Sequence, residues 1–208
     1  MPHENQSRET TFGYLSAVHT AEHGYFGGYL IVSALGRPLE FHCTSPVRPS
    51  RAHEILYGPT LGPYLIGEQI GGTLLESAKL TPRLVLTDEA SMLAVRPQAG
   101  VPVALVLSRV DDQCKAAIEE GAIQSGAVGG GGRDRRVWSP SCDGQFSIGD
   151  HELQLAPGYD ADRDAVVESL ALLAQHVDLA EPFGRIHEAI CEAQRIGGRS
   201  VEGHGQAA

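Results

Sequence analysis

Lysine is nearly absent from this chain: Lys79 and Lys115 stand alone, and every other basic residue is an arginine. The 16 basic residues are outnumbered by 26 acidic ones, giving a formal charge of -10, and no basic stripe with interleaved aromatics occurs. Such a charge repels a phosphate backbone, so the composition predicts no nucleic-acid partner. Long hydrophobic runs are missing as well. The longest, residues 101–107, is far short of the roughly 20 residues that cross a bilayer, so no membrane association is expected. The opening residues 1–11 are polar and carry both signs of charge, without the basic end and apolar stretch of a secretory signal, which predicts a cytoplasmic protein. Cysteine is sparse. Cys43, Cys114, Cys142 and Cys191 lie far apart with no C-x-x-C pair, a pattern that excludes a zinc knuckle and a compact disulfide framework and predicts buried free thiols.

What remains is ordinary for a folded domain: 208 residues, 42% of them hydrophobic, enough for one core. The reading is a disordered tail at residues 1–11, a single domain over 12–198, a flexible glycine-rich loop at 126–132 and a disordered tail at 199–208. Strands are expected at 14–20, 28–34 and 38–44, where β-branched and aromatic residues are broken by glycine and proline. Leu35-Gly36-Arg37-Pro38 supplies the turn of the second hairpin. Ser50 can cap a short helix that Gly58-Pro59 closes, and Leu61, Leu65, Ile66, Ile70 and Leu74 then recur at helical spacing. Gly67 and Gly71, four apart on that helix, suggest close packing.

Further strands are expected at 83–87, 92–95, 101–107 and 151–155, and a helix at 111–123. Two C-terminal helices complete the chain. The first carries the stripe Val166, Leu170, Leu173, Val177; the second starts near Pro182 and stops at Gly197-Gly198, glycine being a helix terminator. The fold class is α+β: a mainly antiparallel sheet opening with a three-strand meander, packed by a central helix and the two C-terminal helices.

Two clusters could carry chemistry. His19, Glu22 and His23 match H-x-x-E-H, in which helical spacing places two imidazoles on one face to hold zinc beside a carboxylate. Gly24 and the strand-like alternation upstream oppose a helix there, and the plain alternative is a strand end with exposed histidines. The second cluster is Glu40 and His42 with His53 and Glu54 nearby. Strand alternation puts Glu40, His42 and Thr44 on one face and Leu39, Phe41 and Cys43 on the other, so Cys43 is expected in the core and Glu40 with His42 are free to orient an imidazole. A structural network of the same residues with an arginine is the bland alternative.

Gly129–Gly132 lacks the lysine and hydroxyl ending of a phosphate-binding loop. His187 and Cys191, four apart on the last helix, are too few to make a metal site and flank the stripe Phe183, Ile186, Ile190. Cys43 or Cys142 could also act as a redox sensor.

The stretches Arg37-Pro38-Leu39-Glu40-Phe41-His42-Cys43-Thr44 and Glu54-Ile55-Leu56-Tyr57-Gly58 resemble those of a bacterial protein family with no assigned activity, over residues 27–88. The resemblance implies a bacterial, cytosolic origin and neither ligand nor mechanism. With no complete catalytic constellation, the expected function is a non-catalytic domain that binds a protein or small ligand, in a homo-oligomer or alone and without a cofactor. The alternative is a hydrolase, zinc-assisted through His19, Glu22 and His23 or histidine-based through Glu40, His42 and His53.

Overall fold

The run Thr11–Thr20 is mostly apolar over its middle, residues 12–18, and buried there, as strands covered on both faces are; it forms β1, against which β2, β4 and β6 all pair. The computed structural model describes residues 10–107, 123–125, 144–149, 151–173 and 178–202. β1 turns at residues 21–23 into β2 (Gly24–Ser33), and β2 turns into β3 (Pro38–Cys43), making the expected antiparallel meander. The β2–β3 register shifts between Ile31 and Val32, a bulge that bends the edge strand.

Ser50 caps α1 (Arg51–Tyr57) as expected, its Oγ accepting the His53 N–H at 3.2 Å. A 3₁₀ turn (Gly58–Thr60), a π-helix (Pro63–Gly71) and α2 (Gly72–Ser77) follow. β4 (Leu84–Thr87) lies parallel to β1, and β5 (Val103–Leu107) parallel to β4; between them stand a 3₁₀ helix (Ala90–Val95) and α3 (Arg96–Ala99). β6 (Ile123–Ser125) pairs with β1, and the hairpin of β7 (Gln145–Ile148) and β8 (His151–Leu155) joins β5, all antiparallel. A 3₁₀ turn (Asp160–Asp162), α4 (Arg163–Leu173) and α5 (Glu181–Glu202) end the described chain. The sheet order is β3-β2-β1-β4-β5-β8-β7, with β6 beside β1. The fold is the α+β class expected, its antiparallel pairs outnumbering the two parallel ones.

Alternation along β1 divides the core in two. Phe12, Tyr14 and Val18 join Leu30, Leu86, Leu170, Phe183, Ile186 and Ile190 under α4 and α5, whereas Leu15 and Ala17 join Tyr29, Leu65, Ile66, Ile70 and Leu74 under the π-helix and α2. Each such large apolar side chain taken from water contributes roughly 1.5–3 kcal/mol. α5 crosses β1 and β2 closely because Gly28 has no side chain: a Cβ there would come within 2.4 Å of Ile186 Cγ2. Gly67 and Gly71 do the same for the π-helix, which rests on the 3₁₀ helix at Ser91, Met92, Ala94 and Val95.

Several local expectations are corrected. The apolar face of the helix after Pro59 is right, but its centre coils as π rather than α. Residues 92–95 are not a strand. They form the 3₁₀ helix, whose N–H of Ser91 is capped by the Glu89 side chain at 3.1 Å and whose Met92, Leu93 and Val95 are all buried between sheet and π-helix. β7, unread in the sequence, completes the sheet edge. The last helix runs through Gly197-Gly198, so residues 199–202, expected in a disordered tail, are its final turn. Residues 111–122 and the glycine-rich loop 126–132 lie outside the described residues.

Alternation in β3 is as expected, but its sidedness is reversed. α5 covers β1 and β2 and stops short of the edge, so Leu39 and Phe41 are each 39% exposed and Cys43 is exposed, while Glu40 and His42 turn toward α2 and are partly buried. Cys43 is therefore not a core thiol. Native-state thiol labelling mapped by mass spectrometry should modify Cys43 readily and Cys191 only slowly, because burial raises the Cys191 thiol above its ordinary range.

Gly67→Ala tests the helix contact, since its new Cβ would stand 2.5 Å from the Ser91 carbonyl oxygen and 2.7 Å from Ala94 Cβ. Overpacking should outweigh the better helix propensity of alanine and lower stability by about 1–3 kcal/mol. Denaturant unfolding checks this; an unchanged or raised midpoint would show that the two helices can part without cost.

Candidate functional site

The two clusters legible in the sequence are placed apart. His19 is in β1 and pairs with Tyr25 across the hairpin, its ring tilted by 39° against the tyrosine ring with the centroids 4.4 Å apart. Glu22 and His23 lie in the turn, the His23 N–H donating to Thr20 Oγ1 at 3.1 Å. A strand followed by a turn sends successive side chains to different sides, so no helical ligand face forms from His19, Glu22 and His23. Among the described residues no group of three His, Cys, Asp or Glu side chains converges on a metal position. Burial lowers the His19 imidazole below its ordinary range.

Glu40 and His42 do meet, with Nε2 of His42 2.6 Å from Oε1 of Glu40. The same carboxylate accepts the backbone N–H groups of Lys79, at 3.0 Å, and Leu80, at 3.1 Å. It thus ties the edge strand to the end of α2. His53 and Glu54 are engaged elsewhere: the His53 ring stands edge-on to Tyr57, and Glu54 pairs with Arg51 at 2.9 Å. The structure does not gather the four into one site.

A different constellation sits where β4 ends. β1 and β4 pair up to Leu15 and Thr87, and β6 takes the same flank of β1 from Val18 onward. Between those registers stand Ser16 and Ala17, at the point where the chain leaves β1 toward β2 on one side and β4 leads to β5 on the other. Crevices beyond the carboxyl ends of strands at such a reversal are where ligands bind in open sheets. Ser16 shares the α5 face with Tyr14 and Val18 and is 0% exposed. Asp88 is the first residue past β4. The loop there is pinned by buried Thr87, whose Oγ1 accepts the Glu89 N–H at 3.1 Å, and by the Glu89 cap on Ser91.

From the other side α5 brings His187, one turn beyond Phe183 and next to Ile186, which is seated on Gly28. Ser16 Oγ donates to Asp88 Oδ1 at 2.6 Å and lies 2.8 Å from His187 Nε2. Nε2 is 3.4 Å from Asp88 Oδ2. The imidazole is 37% exposed and the Asp88 carboxylate 22% exposed, so both open to solvent around a hydroxyl that does not. The adjoining Glu89 is held above the ordinary carboxylate range, chiefly by burial and also by the charge of Asp88. A half-exposed imidazole beside a carboxylate can take and return a proton.

Ser16 and Asp88 were not among the sequence candidates, and His187 was considered only beside Cys191. The signal available was a serine inside the otherwise apolar or aromatic stretch Tyr14-Leu15-Ser16-Ala17-Val18 and the acidic pair Asp88-Glu89 directly after the strand Leu84–Thr87. Neither Asp88 nor His187 lines the two cavities described beside α2. One of about 640 Å³ on the α2 side is lined by Cys43, Thr44, Glu68, Thr73, Glu76 and Gln98, among others.

No protein-family model matches the chain, and no curated protein matches it. Solved structures similar in part of the fold are of Endonuclease V. The enzyme of Ciona intestinalis, in complex with a 23mer DNA containing an inosine followed by a ribo-adenosine, is 13% identical with a TM-score of 0.34, over 56% of this chain and 58% of that one. A second Ciona complex, with a 24mer DNA, is 13% identical with a TM-score of 0.33, over 56% and 59%. Endonuclease V of Bacillus subtilis is 10% identical with a TM-score of 0.32, over 49% and 46%. The chain thus spans between about half and three fifths of the length of these structures.

Two expectations are corrected at this point. These are the non-catalytic binding domain and the exclusion of nucleic acid: the three structures named are of a nuclease, and two of them hold DNA. At these scores the likeness assigns no residue and no mechanism to this chain. No helix among the described residues is long and apolar enough to cross a membrane.

The Glu40 clamp has a definite pH signature. Burial pulls its carboxyl upward, but the hydrogen bonds from His42, Lys79 and Leu80 outweigh that, and the net shift is below the ordinary range. Its contribution is therefore complete above the unfolded carboxylate range, about pH 4–5, and is lost as pH falls through the lowered value. Glu40→Gln should lose that contribution at neutral pH and show a shallower decline of unfolding free energy on acidification. Equal slopes in wild type and variant would show that the clamp contributes nothing to acid lability.

Proposed function

We propose that this chain is a hydrolase whose acid–base pair is Asp88 and His187. The observation that carries the reading is the contact of a buried hydroxyl, a carboxylate and a half-exposed imidazole at the strand-order reversal beside β1. In this chemistry His187 removes a proton from water as the water oxygen bonds to the electrophilic centre of the substrate. The bond to the leaving group then breaks with its electron pair, and the imidazolium returns the proton to that group. Asp88 stabilises the imidazolium while it exists, and Ser16 holds Asp88. Ser16 is not the nucleophile, because its hydroxyl is fully buried and donated to Asp88.

The test is hydrolysis of a panel of ester, amide and phosphodiester substrates, DNA included, by the full chain and by Asp88→Asn and His187→Gln. The substrate that wild type turns over should lose roughly 10²–10⁴-fold in kcat/KM with either variant. Undiminished turnover in both variants, or no turnover of any substrate by wild type, would overturn the assignment.

A further inference from the structure

Resting on the reading of Asp88 and His187 as the acid–base pair, we infer that Ser16 is a positioning residue that sets the imidazole tautomer and makes Nδ1 of His187 the working nitrogen. A serine hydroxyl has one hydrogen and two lone pairs, and an ionised carboxylate only accepts. At 2.6 Å the Ser16 hydrogen goes to Asp88 Oδ1, a short charge-assisted bond. Nε2 of His187, 2.8 Å from the same oxygen and 3.4 Å from Asp88 Oδ2, then meets lone pairs alone. A bare nitrogen in that position would set its own lone pair against them, so Nε2 carries a proton and donates it.

Ser16 is 0% exposed, so water cannot enter to supply a different partner. A neutral imidazole has one N–H, which leaves the lone pair on Nδ1. Nδ1 has no hydrogen-bond partner among the described residues, and the ring is 37% exposed. The proton taken from water therefore arrives on Nδ1, while Nε2–H stays on Ser16 and beside Asp88, and the same Nδ1–H passes to the leaving group. Substrate and water accordingly approach the edge of the ring away from Ser16. A hydroxyl nucleophile paired to a histidine would require the opposite bookkeeping, with Ser16 donating to Nε2.

The tautomer is read directly from the ring ¹⁵N resonances of the labelled full chain, assigned by comparison with His187→Gln, above the pH at which the imidazole is charged. The expected spectrum has a protonated Nε2, an unprotonated Nδ1, and an Nε2–H proton slow to exchange with water. Ser16→Ala should speed that exchange about tenfold by removing the nearer acceptor, and Ser16→Thr, which keeps the hydroxyl, should preserve it. A wild-type spectrum with the proton on Nδ1, or unchanged exchange in Ser16→Ala, overturns the inference. The wild-type spectrum decides the tautomer even where Ser16→Ala does not fold. None of these readouts uses a substrate, so loss of the hydrolase reading through active Asp88→Asn and His187→Gln variants is distinguished from loss of this one.

Discussion

The constraint on which the rest depends is the burial of β1 on both faces while three different strands share its two edges. Its side chains alternate between the cores under α5 and under the π-helix, and its register is pinned along the whole length of β2. A one-residue slip would move every apolar side chain to the wrong face. With the strand so fixed, the change of neighbour from β4 to β6 leaves one short stretch of its flank without a strand beside it among the described residues, and that is where Ser16 lies. A polar side chain in the buried middle of a strand must be satisfied, and here Asp88 and His187 satisfy it. Position and partner thus have one cause.

Close packing of helices on the sheet is the second requirement. His187 reaches Ser16 because α5 descends onto Gly28, and the loop after β4 keeps its shape because the 3₁₀ helix that Glu89 caps is wedged under the π-helix at Gly67 and Gly71. Glycines far from the polar cluster therefore govern its dimensions. Cores packed to crystal-like density transmit such restraints over several residues.

Much of the architecture was legible because it is local. The meander followed from β-branched runs and turn residues, the Ser50 cap from a hydroxyl before a helical segment, and the stripe Val166, Leu170, Leu173 from spacing. Glu40 and His42 were read together correctly because residues two apart on a strand share a face. What escaped was of two kinds. The sidedness of β3 depends on how far α5 extends across the sheet, which no spacing within β3 reveals. Asp88 and His187 are separated by 72 and 171 positions from Ser16, so only the assembled sheet brings the three together. The H-x-x-E-H pattern forms no ligand face for the complementary reason: its meaning requires a helix, and a hairpin occupies those residues, as Gly24 and the strand-like alternation upstream of it indicate.

β3 closes one margin of the sheet with Leu39 and Phe41 half uncovered. A flat hydrophobic margin of that kind invites a second chain to add a strand and polymerise. Pro38, which has no N–H to offer, and the bulge opposite Ile31 and Val32 both interrupt the ladder that such growth would need. The irregularity at the rim therefore works as a guard against fibre formation, and straightening it would trade solubility for a more regular sheet.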